Sequence, residues 1–373
     1  MKIFHPLLCY YPSQAGGPAN TLYWLNTALD KAQFETKVIS SNFGLENKAS
    51  LEAIGQNIST AHHKVQFLDS GGTAFVKKGL TAVKQSDIIQ FSSLFFPPTL
   101  PLLVKAVIQK KKVIISPRGE LYSAALSIKS KKKKIWLQLI KVFQSKIHFH
   151  ATNEFEKGII QKYFPKAAGV ALIPNYIKMP KKQPLDIVEN QLLFIGRINP
   201  IKNIDVLIKA IDKAQKTLGR EVKLVIAGSA RLPYEIAYEN KLKHLVKDLE
   251  LQKSVTFLGH VQGEDKDKLI ARSYALVLPS ESENFGNVVL EALAQGTPVI
   301  ASKNTPWESL EKTNSGFWVL PSVDELSKTI VGFLDMSDAE YKEIRKNAYR
   351  LCSEKFDIGS NSNVWADFYK EIN

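Results

Sequence analysis

Short apolar runs rich in β-branched residues alternate with longer stretches of helical period along almost the whole of this chain. That alternation predicts parallel strands joined by helices, because a parallel strand covered on both faces reads as a continuous apolar run. One series of expected strands is Ile3 to Cys9, Thr36 to Ser40, Val65 to Leu68, Ile88 to Phe91, Val113 to Ser116 and Ile147 to Ala151. A second is Leu192 to Ile195, Lys223 to Ala227, Val255 to Leu258, Ala275 to Leu278, Val299 to Ala301 and Gly316 to Val319. Between them Pro174-Asn-Tyr-Ile-Lys-Met-Pro180-Lys-Lys-Gln-Pro184 is proline-rich, polar and aperiodic, as a connection between domains would be. The expected division is 1-178 and 179-355. The remainder, 356-373, carries Ile358, Val364, Trp365, Phe368 and Tyr369 in a partly helical stripe suited to packing back on the first domain.

Composition agrees with two soluble domains: 373 residues exceed what one core usually organises, and 45% hydrophobic with 23% charged is ordinary for globular protein. Cys9 and Cys352 have no metal-ligand or redox spacing, which fits a reducing cytoplasm. The opening residues read as a first buried strand and not as a secretion signal. The longest apolar stretch, Ile88 to Ile108, is interrupted by Pro97, Pro98, Pro101 and Lys105 and is no membrane span.

Charge changes this picture. Fifty Lys and Arg against thirty-six Asp and Glu give +14, and Glu120 is the single acid between residues 101 and 150. Such a block attracts an anionic partner. The segment from Lys129 to Phe143 joins a lysine front to Ile135, Trp136, Leu139, Ile140 and Phe143 at helical spacing. Two readings stay open: a helix lying on an anionic membrane surface at the inner face of the cell membrane, with Phe95-Phe96 and Lys110 to Lys112 extending it, or a solvated helix whose stripe faces its own core. No nucleic-acid partner is expected, since recognition modules and base-stacking aromatic patterns are absent.

Two segments of the second series carry chemistry. In Gly196-Arg197-Ile-Asn-Pro-Ile-Lys202-Asn203 a strand passes through a turn into a helix with two cations beside its start. Helix-start amides and the positive end of the dipole favour anions, so Arg197 and Lys202 read as a diphosphate clamp. In Glu283-Asn-Phe285-Gly286-Asn287-Val288-Val-Leu-Glu291 two carboxylates flank a loop-to-helix junction. A carboxylate accepts from vicinal hydroxyls, and Gly286 lets a ligand approach the backbone. Asp265-Lys266-Asp267 has the look of a D-x-D metal motif, but its surroundings read as a helix start where acids are favoured. His62-His63 and His148-Phe-His150 lack supporting ligands and read as structural histidines; no metal is expected.

Taken together, Gly16-Gly17, Ser116-Pro-Arg118-Gly119, Pro174-Asn175, Gly196-Arg197 with Lys202-Asn203, Ala227-Gly228-Ser229, Phe257-Leu-Gly259 and the E-x7-E element Glu283 to Glu291 resemble the retaining glycosyltransferases of family 4. The resemblance implies the α/β GT-B fold, two Rossmann-like doubly wound domains facing across a cleft, with the acceptor on the first and a nucleotide sugar on the second. It implies transfer of a hexose from a nucleoside diphosphate sugar, UDP- or GDP-linked, to a glycan or polyprenyl-linked acceptor in polysaccharide or lipopolysaccharide assembly, with no cofactor. By matching position Glu283 lies beside the donor sugar, Glu291 at the ribose hydroxyls, and Gly17, Phe285, Gly286, Asn287 and Val288 along the donor. Arg118 stands where many relatives carry a histidine, and a guanidinium there can stabilise charge but not act as a base. An epimerase or phosphorylase of the same architecture, or a polyanion-binding protein without activity, remains the alternative.

Overall fold

Thirteen strands, all paired in parallel, form two sheets in the computed structural model, which describes residues 1–13, 17–45, 51–69, 71–128, 130–183 and 188–373. Gly16, Lys129 and Pro184, quoted above, lie outside the described residues. The first sheet contains β1 (Lys2–Leu7), β2 (Glu35–Ser41), β3 (His63–Leu68), β4 (Ile88–Phe91), β5 (Lys112–Ile115), β6 (Ile147–Ala151) and β7 (Gly169–Leu172) in the order β3-β2-β1-β4-β5-β6-β7. The second contains β8 (Val188–Ile195), β9 (Lys223–Ala227), β10 (Val255–Gly259), β11 (Ser273–Leu278), β12 (Val299–Ser302) and β13 (Gly316–Val319) in the order β10-β9-β8-β11-β12-β13. Both orders reverse beside the first strand of their sheet, the signature of a doubly wound Rossmann-like unit.

Strand β7 was not anticipated. It is a four-residue strand, Gly-Val-Ala-Leu, at the edge of the sheet beside β6 and partly exposed, so it lacks the apolar run that marks the buried strands.

The chain separates into two compact units, residues 1–178 with 358–373, and residues 179–357. Alternation along the strands of the first unit builds a core on each face. Phe4, Phe91, Val113 and Phe149 pack with Phe75, Leu102 and Ile140 on one side, while Ile3, Val38, Ile88 and Ile114 pack with Leu22, Leu25, Trp365 and Tyr369 on the other. The helix Ile358–Ile372 thus completes the second of these cores.

That second face also encloses polar side chains. His63 lies between the hydroxyls of Tyr10 (3.0 Å) and Thr36 (2.6 Å). His150 Nε2 faces the Ile173 carbonyl at 2.7 Å, so Nε2 carries the proton and Nδ1 accepts from the Ser116 hydroxyl at 2.8 Å. Burial holds His5 and His150 down to about 3 and His63 to about 4, with Arg118 adding repulsion at His5 and His150. These imidazoles are neutral structural groups.

The lysine-rich helix Ser130–Lys141 corrects the expected stripe. Trp136, Ile140 and Phe143 face the protein with Leu137, and the Trp136 indole donates to the Leu94 carbonyl at 2.6 Å. Ile135 and Leu139 stay outside. Phe96 is buried edge-on against Phe75 and extends no surface. Glu120 accepts from the Ser93 hydroxyl and the Leu94 amide, and burial pushes its carboxyl up to about 7. Among the described residues no helix is long and apolar enough to cross a membrane.

Candidate functional site

Where the strand order of a parallel sheet reverses, the loops leaving the two central strands turn to opposite faces and open a crevice beyond their carboxyl ends. In the second unit those strands are β8 and β11, which are neighbours. β8 runs directly into residues 196–203, and β11 runs into the loop 279–286, which carries Glu283 and leads to the helix that bears Glu291.

Side-chain and backbone bonds staple these two loops together. Asn199 accepts from the Ile201 amide and opens a tight turn, Pro200–Lys202. Asn203 follows with φ of 50°, a left-handed conformation that asparagine tolerates better than most residues. Its amide nitrogen donates to the Pro279 carbonyl and to Glu281, each at 3.3 Å, and the Glu281 amide returns a bond to the Ile201 carbonyl at 2.8 Å. The staple sets the Lys202 ammonium directly on the Glu283 carboxylate. Two residues singled out from sequence are therefore in contact, each with a side chain less than one-fifth exposed.

Glu283 leads into the helix Asn287–Ala294, whose start is set by Gly286 at φ of 79°. A Cβ on Gly286 would lie 3.0 Å from Leu278 and 3.2 Å from Glu283, so this position needs glycine for both conformation and space. Gly286, Asn287 and Val288 are partly exposed at the helix start, the end whose amides point outward along the axis. Phe285 differs from them. Its ring is buried edge-on against Trp307 and its carbonyl accepts from the Trp307 indole, so its side chain anchors the loop. Glu291, on the same helix, pairs with Lys266 at 2.7 Å.

Lys266 gave no signal as a site residue. It lies between Asp265 and Asp267 in the helix Gly263–Arg272, where Asp265 is a first-turn acid, and its pairing with Glu291 spans two helices that no sequence spacing connects. Glu235 was missed for a similar reason. It is 1% exposed and accepts from the Asn199 side chain (2.9 Å) and the amides of Arg231 and Leu232 (3.0 and 3.1 Å). Burial alone would raise its carboxyl; these donors and the Arg197 charge outweigh that and hold it below the usual range. The largely exposed Arg197 guanidinium stands 3.8 Å from it.

Glycines keep this end of the sheet low. A Cβ on Gly228, just beyond β9, would fall 1.8 Å from the Gly196 carbonyl oxygen, and the Gly228 amide donates to Gly259 at 2.7 Å. His260, next to Gly259, is exposed. The cavity of about 530 Å³ lined by Lys182, Tyr274, Gln295 and Arg345 lies at the opposite, amino-terminal end of the strands. There Arg345 donates to the Gln295 carbonyl and caps the end of the helix Asn287–Ala294, a structural role.

Two candidates belong to the first unit. Gly17 begins the helix Gly17–Lys31. Arg118, past the end of β5, is left-handed at φ of 51°; its Nη1 donates to Asn175 at 3.2 Å, while the following Gly119 amide donates to Glu156 at 2.8 Å. A non-glycine residue held there stores roughly 1 kcal/mol or more, which the surrounding bonds must over-determine. Burial lowers the Arg118 pKa from its ordinary value, and the Glu156 charge opposes the shift.

Residues 176–351 match the family described as Glycosyl transferases group 1. An uncharacterized glycosyltransferase of Methanocaldococcus jannaschii is 33% identical over 186 residues, covering 49% of this chain and 45% of that protein, so the match spans less than half of that relative. A Campylobacter jejuni enzyme is 26% identical over 367 residues, 96% of each chain; its name describes an α-1,4-N-acetyl-D-galactosaminyltransferase for a diNAcBac-PP-undecaprenol-linked acceptor. HepE of Anabaena, crystallised with UDP and glucose, superposes over the full length of both chains with a TM-score of 0.78 at 20% identity. That likeness identifies the fold as GT-B.

Proposed function

We propose that this chain moves a sugar, with retention of configuration, from a nucleoside diphosphate sugar to a hydroxyl of a glycan or lipid-linked glycan in the assembly of cell-surface polysaccharide. The observation that carries the reading is the Lys202–Glu283 contact, on the two strands that flank the reversal of strand order. A cation able to neutralise a departing diphosphate and a carboxylate able to accept from sugar hydroxyls stand side by side there.

Arg197 and Lys202 take the diphosphate, with the amides at the start of the helix Asn287–Ala294 beside them; Glu291 accepts from the ribose hydroxyls and Glu283 from the donor sugar. Lys202 exchanges Glu283 for phosphate as the donor enters, which turns Glu283 toward the sugar. The bond from the anomeric carbon to the diphosphate oxygen breaks, a bond to the acceptor oxygen forms on the same face, and the acceptor proton passes to the diphosphate. The cations replace a divalent metal in neutralising the leaving group.

The Campylobacter relative supports a lipid-linked acceptor, and HepE supports UDP as the nucleotide. Thermal-shift screening against UDP-, GDP-, ADP- and dTDP-sugars identifies the donor, since a ligand stabilises according to its affinity and concentration. Release of nucleoside diphosphate only when a glycan acceptor is present is the expected outcome. Conversion of the donor sugar with no acceptor overturns transfer in favour of epimerisation.

A further inference from the structure

We propose that the outer face of the helix Ser130–Lys141 docks the first unit on an anionic lipid bilayer. This rests on surface observations alone and stands whether or not the donor-site reading holds. The helix has two apolar sides. Its inner side, Leu137 and Ile140, is buried in the core of the first unit. On the outer side Ile135 (65% exposed) and Leu139 (44%) follow one another at i and i+4 and form a stripe, and Val142 (73%) is exposed in the turn just past the helix end. The core-facing requirement is already met by the other side, so this stripe is surplus to folding.

Charge selects the occupant. Lys131, Lys132 and Lys134 are exposed and flank the stripe on both sides, while Lys133 is folded inward with its ammonium at the Ala125 carbonyl and over the Phe95 ring. No acid occurs between Glu120 and Glu154. Aliphatic side chains fringed by lysine suit the headgroup boundary of a bilayer, where the chains enter the acyl region and the ammonium groups meet lipid phosphates. Protein interfaces have the opposite composition, with aromatic residues and arginine enriched and lysine depleted.

Flotation of the full chain with vesicles tests the proposal. Binding is expected to phosphatidylcholine vesicles containing phosphatidylglycerol and not to phosphatidylcholine alone. K131S/K132S/K134S is expected to lower the partition coefficient by roughly fivefold per lysine removed, and I135S/L139S by at least about tenfold. Unchanged melting temperatures of both variants show that they fold, and I135W/L139W should bind more tightly than the parent. Three results overturn the proposal: no flotation of the parent; full flotation of I135S/L139S, which would reduce the effect to attraction for any polyanion; or a parent dimer that I135S/L139S converts to monomer, which would assign the stripe to a second copy of the chain.

Discussion

The Lys202 ammonium rests on the Glu283 carboxylate although the two residues are 81 positions apart, and both side chains are largely shielded from solvent. Removing either partner leaves a shielded charge uncompensated. Lys202→Ala is expected to weaken donor binding or turnover by an order of magnitude or more, from loss of a charged contact of roughly 1.5–3 kcal/mol. Calorimetric titration with the nucleotide sugar found by thermal shift measures it; parental affinity and rate in Lys202→Ala would remove Lys202 from the diphosphate site.

Glu291 and Lys266 form the second pair, at 2.7 Å. Glu291→Ala should cost donor binding about tenfold or more. Lys266→Ala should cost less, because Lys266 only positions the carboxylate. In a double-mutant cycle on nucleotide affinity the two changes should be non-additive by roughly 0.5–3 kcal/mol. Strict additivity would mean that Lys266 has no influence on what Glu291 binds.

Gly228→Ala forces a methyl group to within 1.8 Å of the Gly196 carbonyl oxygen. Backbone must move to admit it, at a cost of about 1–3 kcal/mol or more. The second unit is expected to melt several degrees lower, and donor affinity should fall with it because Gly196 leads directly into Arg197. An unchanged melting curve would contradict the close approach of the two loops.

The shielded imidazoles make the first unit acid-labile. Unfolded histidine takes up a proton as pH falls through about 6.5, whereas His5, His63 and His150 resist until about 3 to 4. Stability is therefore lost progressively below pH 6.5, on the order of 1–2 kcal/mol per histidine by pH 5. Glu120 acts in the opposite sense: its folded value near 7 exceeds the ordinary 4.5, so it favours the folded state increasingly as pH falls from 7 to 4.5. One carboxyl against three imidazoles leaves a net loss, and Glu120→Gln should steepen it. Urea unfolding at pH 7.5, 6 and 5 reads the slope; a flat profile would show that these rings are not shielded.

Turnover is expected to persist in EDTA, since Arg197 and Lys202 carry the charge of the leaving group in this proposal. Loss of activity in EDTA, restored by magnesium or manganese, would require a different account of the diphosphate.

Periodicity in the chain marked every strand buried on both faces, because such strands are unbroken apolar runs; β4, β6, β9 and β13 have the limits expected from sequence. The edge strand β7 escaped, being short, half-exposed and built around Gly169 and Ala171. At the candidate site the residues at the loop-to-helix junctions were legible because their types are unusual there: cations at a helix start, and a glycine between carboxylates. Their partners were not. Lys266 and Glu235 are ordinary charged residues in helices, and only the folded chain reveals that one meets Glu291 and the other gathers Asn199 and Arg197. The lysine-rich helix shows the limit of period alone: its apolar residues divide between two opposite sides, which a single list of helical spacings merges.

Residues 358–372 close the core around β1 and β4, with the Tyr369 hydroxyl on Gln90 at 2.5 Å and Trp365 against His150. All of the other unit intervenes in the chain between that helix and the sheet it covers. On the ribosome, the early sheet must wait with one side unsealed while its neighbour is made. A nascent chain stalled before residue 358 would thus offer chaperones a greasy flank that the finished protein conceals.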